Sequence, residues 1–502
     1  MASVDVGQAA HNKEEQEQSS QAANDGAVRE DAQVEETYPH GSRLAALTIS
    51  LMLSTLMVAL DTNVIGAQMW RGLDVGWYGS AYLMTLMALQ PLYGRIYALF
   101  NTKLVFLLSL CLFEVGSTVC ATAQNSPMFI AGRAVSGSGA AGILSGALTI
   151  GGHLVPLFKR PMYMAMIMKS YTMPAKVPLS TLSKLQSIDS VGGFLSIGSA
   201  VLLFLPLKWG GIDYAWDSAR VIGCLVSFIV LLVILIATQV RQGESALVSP
   251  KVFSQRSVCF GCLFTCFLNM AIDTHIYYLP LYFQAVSSQT ASASGVRLLP
   301  YLGTMILTAG ISGTLVTALK HYVPFMVLGS LIFTIACGLI TTLTVGSGPA
   351  HWVSYQLLAG IGFGMGFQIP YSALHVVLDT TALPTGNALL VLFQALGGAL
   401  AVSVAQNILS NQLLGRLGEQ FSAQDAARIV AAGPTRIAQA VEAEQVGLVV
   451  KAYSHALSRM HMLPVAAAGM AFLCSLGMEW RTLEKEEAER GSEGENRLLE
   501  GT

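Results

Sequence analysis

Apolar residues in this chain come in long continuous blocks separated by short polar connections. They show neither the alternation of a half-buried strand nor the narrow stripe of a surface helix. A helix needs about 20 mainly apolar residues to cross a bilayer. Twelve blocks reach roughly that length: 44–66, 77–98, 103–123, 129–152, 189–207, 219–239, 258–280, 298–319, 323–345, 352–377, 385–409 and 461–480. Continuous blocks favour helices, because each segment must satisfy its own backbone in lipid. The expected fold class is an all-α polytopic membrane protein. Residues 153–188 read as a basic inner loop and residues 410–460 as a long outer loop. The outer loop has helical character: Ser422 followed by Asp425 resembles a cap signal, and Gly433-Pro434 separates two helical stretches. A solvated linker is the preferred reading there, with short amphipathic helices as the alternative.

Composition agrees. Of 502 residues, 53% are hydrophobic and 12% charged, where an average soluble chain carries about 25% charged residues. The mean hydropathy is +0.56. So few charges exclude an ordinary soluble enzyme, a nucleic-acid binder and a disordered scaffold. Residues 1–40 hold 9 acidic and 2 basic side chains, and residues 479–502 hold 8 acidic and 4 basic. Both tails read as solvated and acidic, since they carry too few large apolar residues to fold. No leader is expected in residues 1–40, which lack a basic start and an apolar run. With the N-terminus in the cytosol, twelve basic residues fall on the inner side and four on the outer, at Arg71, Lys208, Arg220 and Arg297. This is the positive-inside orientation.

Polar residues within the apolar blocks are few, and a charge there ordinarily faces water or a partner. Asp61 lies in the outer half of the first block and Glu114 midway along the third. Arg133 sits one turn into the fourth. Its guanidinium cannot shed its charge, so Glu114 or Asp61 is the expected partner, in a proton-exchanging pair or a structural ion pair. Asp273 and His275, also candidates for the substrate cavity, lie near the outer end of the block at 258–280, where a solvated interfacial position fits at least as well as a buried one. Gln90, Gln368, Gln394 and Asn407 are uncharged polar candidates for a substrate cavity, with Asn269 and Gln406 also in apolar blocks.

Eight cysteines all lie in or beside apolar blocks. Cys259, Cys262 and Cys266 could suggest a metal, but zinc ordinarily needs a fourth ligand, and they read better as small apolar residues on a helix. No metal or other cofactor is expected. Gly137-Ser-Gly139-Ala-Ala-Gly142 matches a dinucleotide fingerprint but lacks the strand and acidic residue that would accompany it. Close helix packing explains it better, as it does Gly360-Ile-Gly362-Phe-Gly364-Met-Gly366.

A set of ordered motifs runs from about residue 43 to 480. It comprises Leu60-Asp61-Thr62, DVGWYGSAYLMT (Asp74–Thr85), RAVSGSGAAG (Arg133–Gly142), KRPMY (Lys159–Tyr163), WGGIDYAW (Trp209–Trp216), YYLPLYFQAV (Tyr277–Val286), SASGVRLLP (Ser292–Pro300), GIGFGMGFQIP (Gly360–Pro370) and FQALGGALAVSVAQNI (Phe393–Ile408). On these the chain resembles the fungal fourteen-span drug:proton antiporter group of the major facilitator superfamily, and within it the efflux pumps for mycotoxins and other secondary metabolites. The resemblance implies two six-helix halves around a central cavity with two extra spans between them. It implies a monomer in a lipid bilayer, in the plasma membrane or else a vacuolar or vesicular one. It further implies export of small hydrophobic organic compounds driven by protons, with Arg133 and Asp61 in proton coupling.

The chain departs from that pattern after KRPMY. A short basic stretch, Met164–Ser187, leads straight to Ile188-Asp189-Ser-Val-Gly, which looks like the seventh span of the family. Two spans of the N-terminal half are expected to be absent. The organisation is then a tail at 1–40, a shortened half at 41–188, two linker spans at 189–240, a C-terminal half at 241–480 and a tail at 481–502. No ATP-binding P-loop is present. The readings left open are proton-driven export, proton-coupled uptake of a siderophore or nutrient, a membrane enzyme using Asp273 and His275, and a non-transporting remnant.

Overall fold

The structure is a computed structural model that describes residues 75–154, 189–211, 214–243, 246, 248–379, 382–432 and 441–481. The apolar run at 44–66, the expected inner loop beyond residue 154, and residues 1–40 and 482–502 of the acidic tails lie outside the described residues. The other eleven apolar runs fall on helices. The described helices of nine residues or more are α1 (Val75–Leu99), α2 (Thr102–Ala121), α3 (Ser126–Leu154), α4 (Ser190–Trp209), α5 (Ala219–Gln242), α6 (Arg256–Ala285), α7 (Leu299–Leu319), α8 (Val323–Ile340), α9 (Pro349–Phe367), α10 (Ile369–Val377), α11 (Leu383–Gly418), α12 (Ala423–Ala432), α13 (Val446–Met460) and α14 (Met462–Leu476). Among the described residues, eight helices are long and apolar enough to cross a bilayer.

Polar side chains set the helix ends. Asn101 accepts from Lys103 N at 3.0 Å to start α2. Asp189 accepts from Gly192 N at 2.7 Å to start α4, and its other oxygen accepts from Gln239 Nε2 at 2.7 Å. Gln239 in turn accepts from Val248 N at 2.8 Å, so one cluster ties α4 to the end of α5. The α9–α10 break falls at Gln368, two residues before Pro370. Proline has no N–H to continue the ladder and restricts the residue before it. Cys259, Cys262 and Cys266 all lie on α6, as free thiols.

Glycines let the helices approach to backbone contact. A Cβ on Gly137 of α3 would lie 2.4 Å from Tyr82 O of α1, and one on Gly139 would lie 2.4 Å from Phe113 N of α2. The second glycine run repeats the scheme: a Cβ on Gly360 or Gly364 of α9 would lie 2.6 or 2.4 Å from the α7 backbone, and one on Gly362 would lie 2.4 Å from Phe333 N of α8. The middle helix answers in both triplets: a Cβ on Gly116 would lie 2.3 Å from Ser136 N, and one on Gly329 would lie 2.8 Å from Gly362 O. Thus α1–α2–α3 and α7–α8–α9 are built alike. The two triplets join through α6 and α11: a Cβ on Gly397 of α11 would lie 2.0 Å from Cys266 O of α6, and one on Gly94 of α1 would lie 2.5 Å from the Ala388 Cβ of α11. One apolar core lies within the C-terminal helices, and a second unites α1–α4 with α6, α10 and α11.

The linker expected at 410–460 differs in the structure. Helix α11 runs on to Gly418, and α12 and α13 are regular helices. The cap signal is real, since Asp425 N donates to Ser422 Oγ at 3.2 Å. Val449, Tyr453, Ala456 and Leu457 of α13 are buried, so the segment packs as an amphipathic helix rather than lying free in solvent.

Gly362→Leu is expected to destabilise the fold by about 1–3 kcal/mol or more, because backbone atoms stand where the side chain must go. Gly310→Leu, with nothing within 4 Å of its Cβ position, is expected to leave it unchanged. Thermal unfolding of the two detergent-solubilised variants, followed by size exclusion, checks the contrast.

Candidate functional site

The site begins with a buried cation. Arg133 is 2% exposed on α3, and its guanidinium carbon lies 4.3 Å from the Tyr82 ring centroid on α1. Gly137, one turn along the same face of α3, is what lets the Tyr82 backbone come so near. A desolvated cation over an aromatic face is attracted by the ring's negative quadrupole. The α1–α3 seam stays polar above this point. Gln90 Nε2 donates to Ser145 Oγ at 2.5 Å with both residues wholly buried. Gln90 Oε1 has no hydrogen-bond partner among the described residues. Tyr97 OH donates to Gly142 O at 2.8 Å.

The carboxylates proposed as partners of Arg133 are placed differently. Glu114 is exposed, flanked on α2 by the exposed Leu112 and Val115, whereas the face of α2 packed on α3 carries Ser109, Phe113 and Gly116. Glu114 therefore points away from the Arg133 seam. Asp61 lies outside the described residues.

Asp273 and His275 do not form a pair. Two residues apart on a helix, side chains diverge by about 200°. Asp273 turns to α11, where its Oδ2 lies 2.3 Å from the Cβ position of Gly398. His275 turns the other way and is wholly buried, so the solvated position expected for it is corrected. Its Nδ1 lies 3.2 Å from Tyr301 OH, and its ring stacks on His461 with centroids 5.7 Å apart. His461 Nδ1 lies 2.7 Å from Leu457 O. A carbonyl only accepts, so that nitrogen carries the proton. Nε2 of each imidazole is buried without a hydrogen-bond partner among the described residues.

The uncharged candidates lie on different faces. Gln394 Oε1 accepts from Tyr371 OH at 2.8 Å, between α10 and α11. Gln368 is half-buried at the α9–α10 break. Tyr278 OH lies 3.1 Å from Val402 O and 3.2 Å from Gln406 Oε1, extending the α6–α11 polar seam past Asp273. Asn407 stands apart, on the side of α11 that meets the turn after α4, with its Oδ1 2.3 Å from the Cβ position of Gly211. The aromatic partners Tyr82, Tyr301 and Tyr371, together with His461, escape a search for charges in apolar runs. Their signal is a polar atom on a residue that such a search counts as apolar or as the edge of a run.

With this geometry in hand, comparison decides the family. Residues 44–402 match the Major Facilitator Superfamily profile, well over half the chain. The chain belongs to the Major Facilitator Superfamily. The superfamily match takes in Asp61, Gln90, Glu114, Arg133, Asp273, His275, Gln368 and Gln394, and stops short of Asn407 and His461. The chain is 35% identical to the efflux pump aflT of Aspergillus parasiticus, over 89% of this chain and 97% of that one. It is 33% identical to the efflux pump roqT of Penicillium rubens, over 88% and 92%. It is 32% identical to the rubrofusarin-specific efflux pump aurT of Gibberella zeae, over 90% and 92%. Among solved structures, a bacterial homologue of the human lysosomal transporter Spinster, inward-facing and unoccupied, aligns with a TM-score of 0.52 at 16% identity, covering 88% of this chain and 98% of that one. That likeness concerns the superfamily fold alone.

The alignment to aflT covers 498 positions but uses 89% of these 502 residues, about 447, so about 51 of its positions face no residue of this chain. About 51 positions of the roqT alignment likewise face no residue of this chain.

Gln90→Leu and Ser145→Ala are expected to couple, because each alone strands a buried polar group. The coupling expected between membrane helices is about 0.6 kcal/mol, up to roughly 1.7. Unfolding of the two single variants and the double variant in mixed micelles measures it.

Proposed function

We propose that this chain is a secondary transporter that exports small hydrophobic organic compounds, a drug, toxin or secondary metabolite, in exchange for protons. The observation that carries the reading is identity of 32–35% across almost the whole length of relatives named efflux pumps. The structure supports it through a fully buried arginine held between helices that meet glycine to backbone. A charge kept in such a place is costly and marks function in membrane proteins.

In this reading Arg133 and Asp61 carry the proton coupling. Arg133 holds a fixed positive charge beside Tyr82, and its field favours the ionised form of any carboxylate that approaches. Glu114, on the outward side of α2, is given no part in that exchange. Gln90, Gln368 and Gln394 supply hydrogen-bonding groups among apolar walls, which is how cavities for small organic ligands are built. Asp273, against Gly398, is a carboxylate within a span of the C-terminal half. The chain works as a monomer in the plasma membrane.

One observation favours a second reading, a membrane protein that does not transport. Helices α11 and α13–α14 embrace α6 in the C-terminal half, but no described helix before Asp189 stands in their place beside α1–α3. The relatives carry about 51 additional aligned positions, enough for two spans at about 20 residues each.

Cells producing the chain are expected to accumulate less of an apolar toxic dye, and a protonophore is expected to abolish the difference. Arg133→Ala is expected to remove export while leaving the amount in the membrane unchanged. Retained export in Arg133→Ala would take that residue out of the mechanism. Unchanged accumulation over a broad compound panel would favour the second reading. The transcript across the codons for Lys169–Lys184 checks it directly, since about forty more apolar codons there would restore the two spans.

A further inference from the structure

The one polar candidate that stands away from the rest lines a cavity of its own. Between the end of α4 and α11 lies a cavity of about 160 Å³, walled by Leu207, Trp216, Val404 and Ile408, with Ser403, Asn407 and Asn411 on its polar side. Exposed Trp216 and Asn411 stand at its opening. The turn that shapes it is built on Gly211. At φ +76°, this residue lies in the left-handed region that favours glycine. Its N–H donates to Tyr214 O at 2.8 Å, and Tyr214 N donates back to Trp209 O at 3.0 Å. The edge-to-face contact of Trp209 with Tyr214, centroids 5.8 Å apart, braces the turn.

Two polar atoms converge there without partners. Asn407 is 8% exposed, and its Nδ2 donates to Ser403 O at 3.0 Å. Its Oδ1 accepts nothing among the described residues. The indole Nε1–H of Trp216 likewise has no acceptor among them. The Cβ position of Gly211 lies 2.3 Å from Asn407 Oδ1 and 2.9 Å from Trp216 Nε1, so by the sum of these distances the two atoms are at most 5.2 Å apart. A buried acceptor left without a donor is costly. An unpaired acceptor and an unpaired donor this close, beside apolar walls, are complementary to one group: a hydroxyl, which donates to one and accepts from the other.

We propose that this cavity binds a ring-bearing apolar molecule through a single hydroxyl, a phenol or a cyclic alcohol. The hydroxyl donates to Asn407 Oδ1 and accepts from Trp216 Nε1–H, and the ring lies on Leu207, Val404 and Ile408. The volume fits one ring, since an engineered apolar cavity of about 150 Å³ takes up benzene. Any longer tail leaves through the opening beside Trp216. The site lies on the outward side of α11, away from Arg133 and Gln90, and its existence does not depend on whether the chain exports anything.

The test uses the full chain labelled with 5-fluorotryptophan in phosphatidylcholine nanodiscs. The Trp216 ¹⁹F signal is identified by its loss in Trp216→Phe. Titration with 4-propylphenol is expected to shift that signal saturably, leaving the other five tryptophans unmoved. 4-Propylanisole keeps the ring but cannot donate, and is expected to bind about fivefold or more weakly, the worth of one hydrogen bond. Asn407→Leu is expected to make the two probes equal. Cholesterol added to the discs distinguishes the sources: competition with the phenol identifies a bilayer sterol as the resident hydroxyl, and its absence identifies a free phenolic compound. Equal affinity of phenol and anisole for the native chain, or no saturable shift, overturns the proposal. That comparison needs no variant, so it stands even if Asn407→Leu fails to fold.

Discussion

The structure depends on how close two helices can come where water offers no help. In lipid the hydrophobic effect does not press helices together, so association rests on van der Waals contact and interhelical hydrogen bonds. Gly116, Gly137, Gly139, Gly360, Gly362, Gly364 and Gly397 each bring a neighbouring backbone atom to within 2.6 Å of a Cβ position. No side chain larger than hydrogen fits at those crossings. The same crossings fix which polar atoms meet, because side chains can reach across a seam only at the register the glycines impose.

Arg133 illustrates the consequence. Its burial would be prohibitive without something to hold the charge, and the Gly137 crossing brings Tyr82 beneath it. Gln90 reaches Ser145, and Tyr97 reaches the Gly142 carbonyl, along the same seam. At the α6–α11 seam Gly398 brings α11 against Asp273, and Tyr278 spans to Val402 a turn further on. Polar groups are thus held at two seams, α1–α3 and α6–α11. Both contribute to the core that joins the two sets of helices. A rearrangement of one set against the other would act on these groups first.

Much of the fold is legible in the sequence, because span length and continuous apolarity are direct consequences of bilayer thickness. Eleven apolar runs lie on helices, and the packing role of both glycine runs follows from small residues at helical spacing. The site is less legible. Charge scanning finds Arg133 but not Tyr82, since an aromatic residue in an apolar run carries no mark of the cation it will meet. It also brackets Asp273 with His275 by proximity in sequence, whereas helical geometry sends them to opposite neighbours. The segment 410–460 misleads for a different reason. Helix α13 buries Val449, Tyr453, Ala456 and Leu457 on one face, while Lys451, His455 and Arg459 break the continuous apolarity by which the other runs read as spans.

The likeness of α1–α3 to α7–α9 makes the two halves comparable helix by helix, and the comparison is unequal. In the C-terminal half, α6 has α11 and α13–α14 against it, and His275 is sealed from solvent among Tyr301, Phe333 and His461. On the N-terminal side α4 lies along α1, with Ser196 Oγ 3.4 Å from Ala88 O. Helix α4 therefore covers part of α1. It also meets α11, so it braces the junction of the halves rather than completing the N-terminal one. The second linker helix, α5, contributes little more, since most of its length is exposed apolar surface suited to lipid. A pair that sits at the junction and faces lipid cannot stand in for two helices that would line a cavity wall.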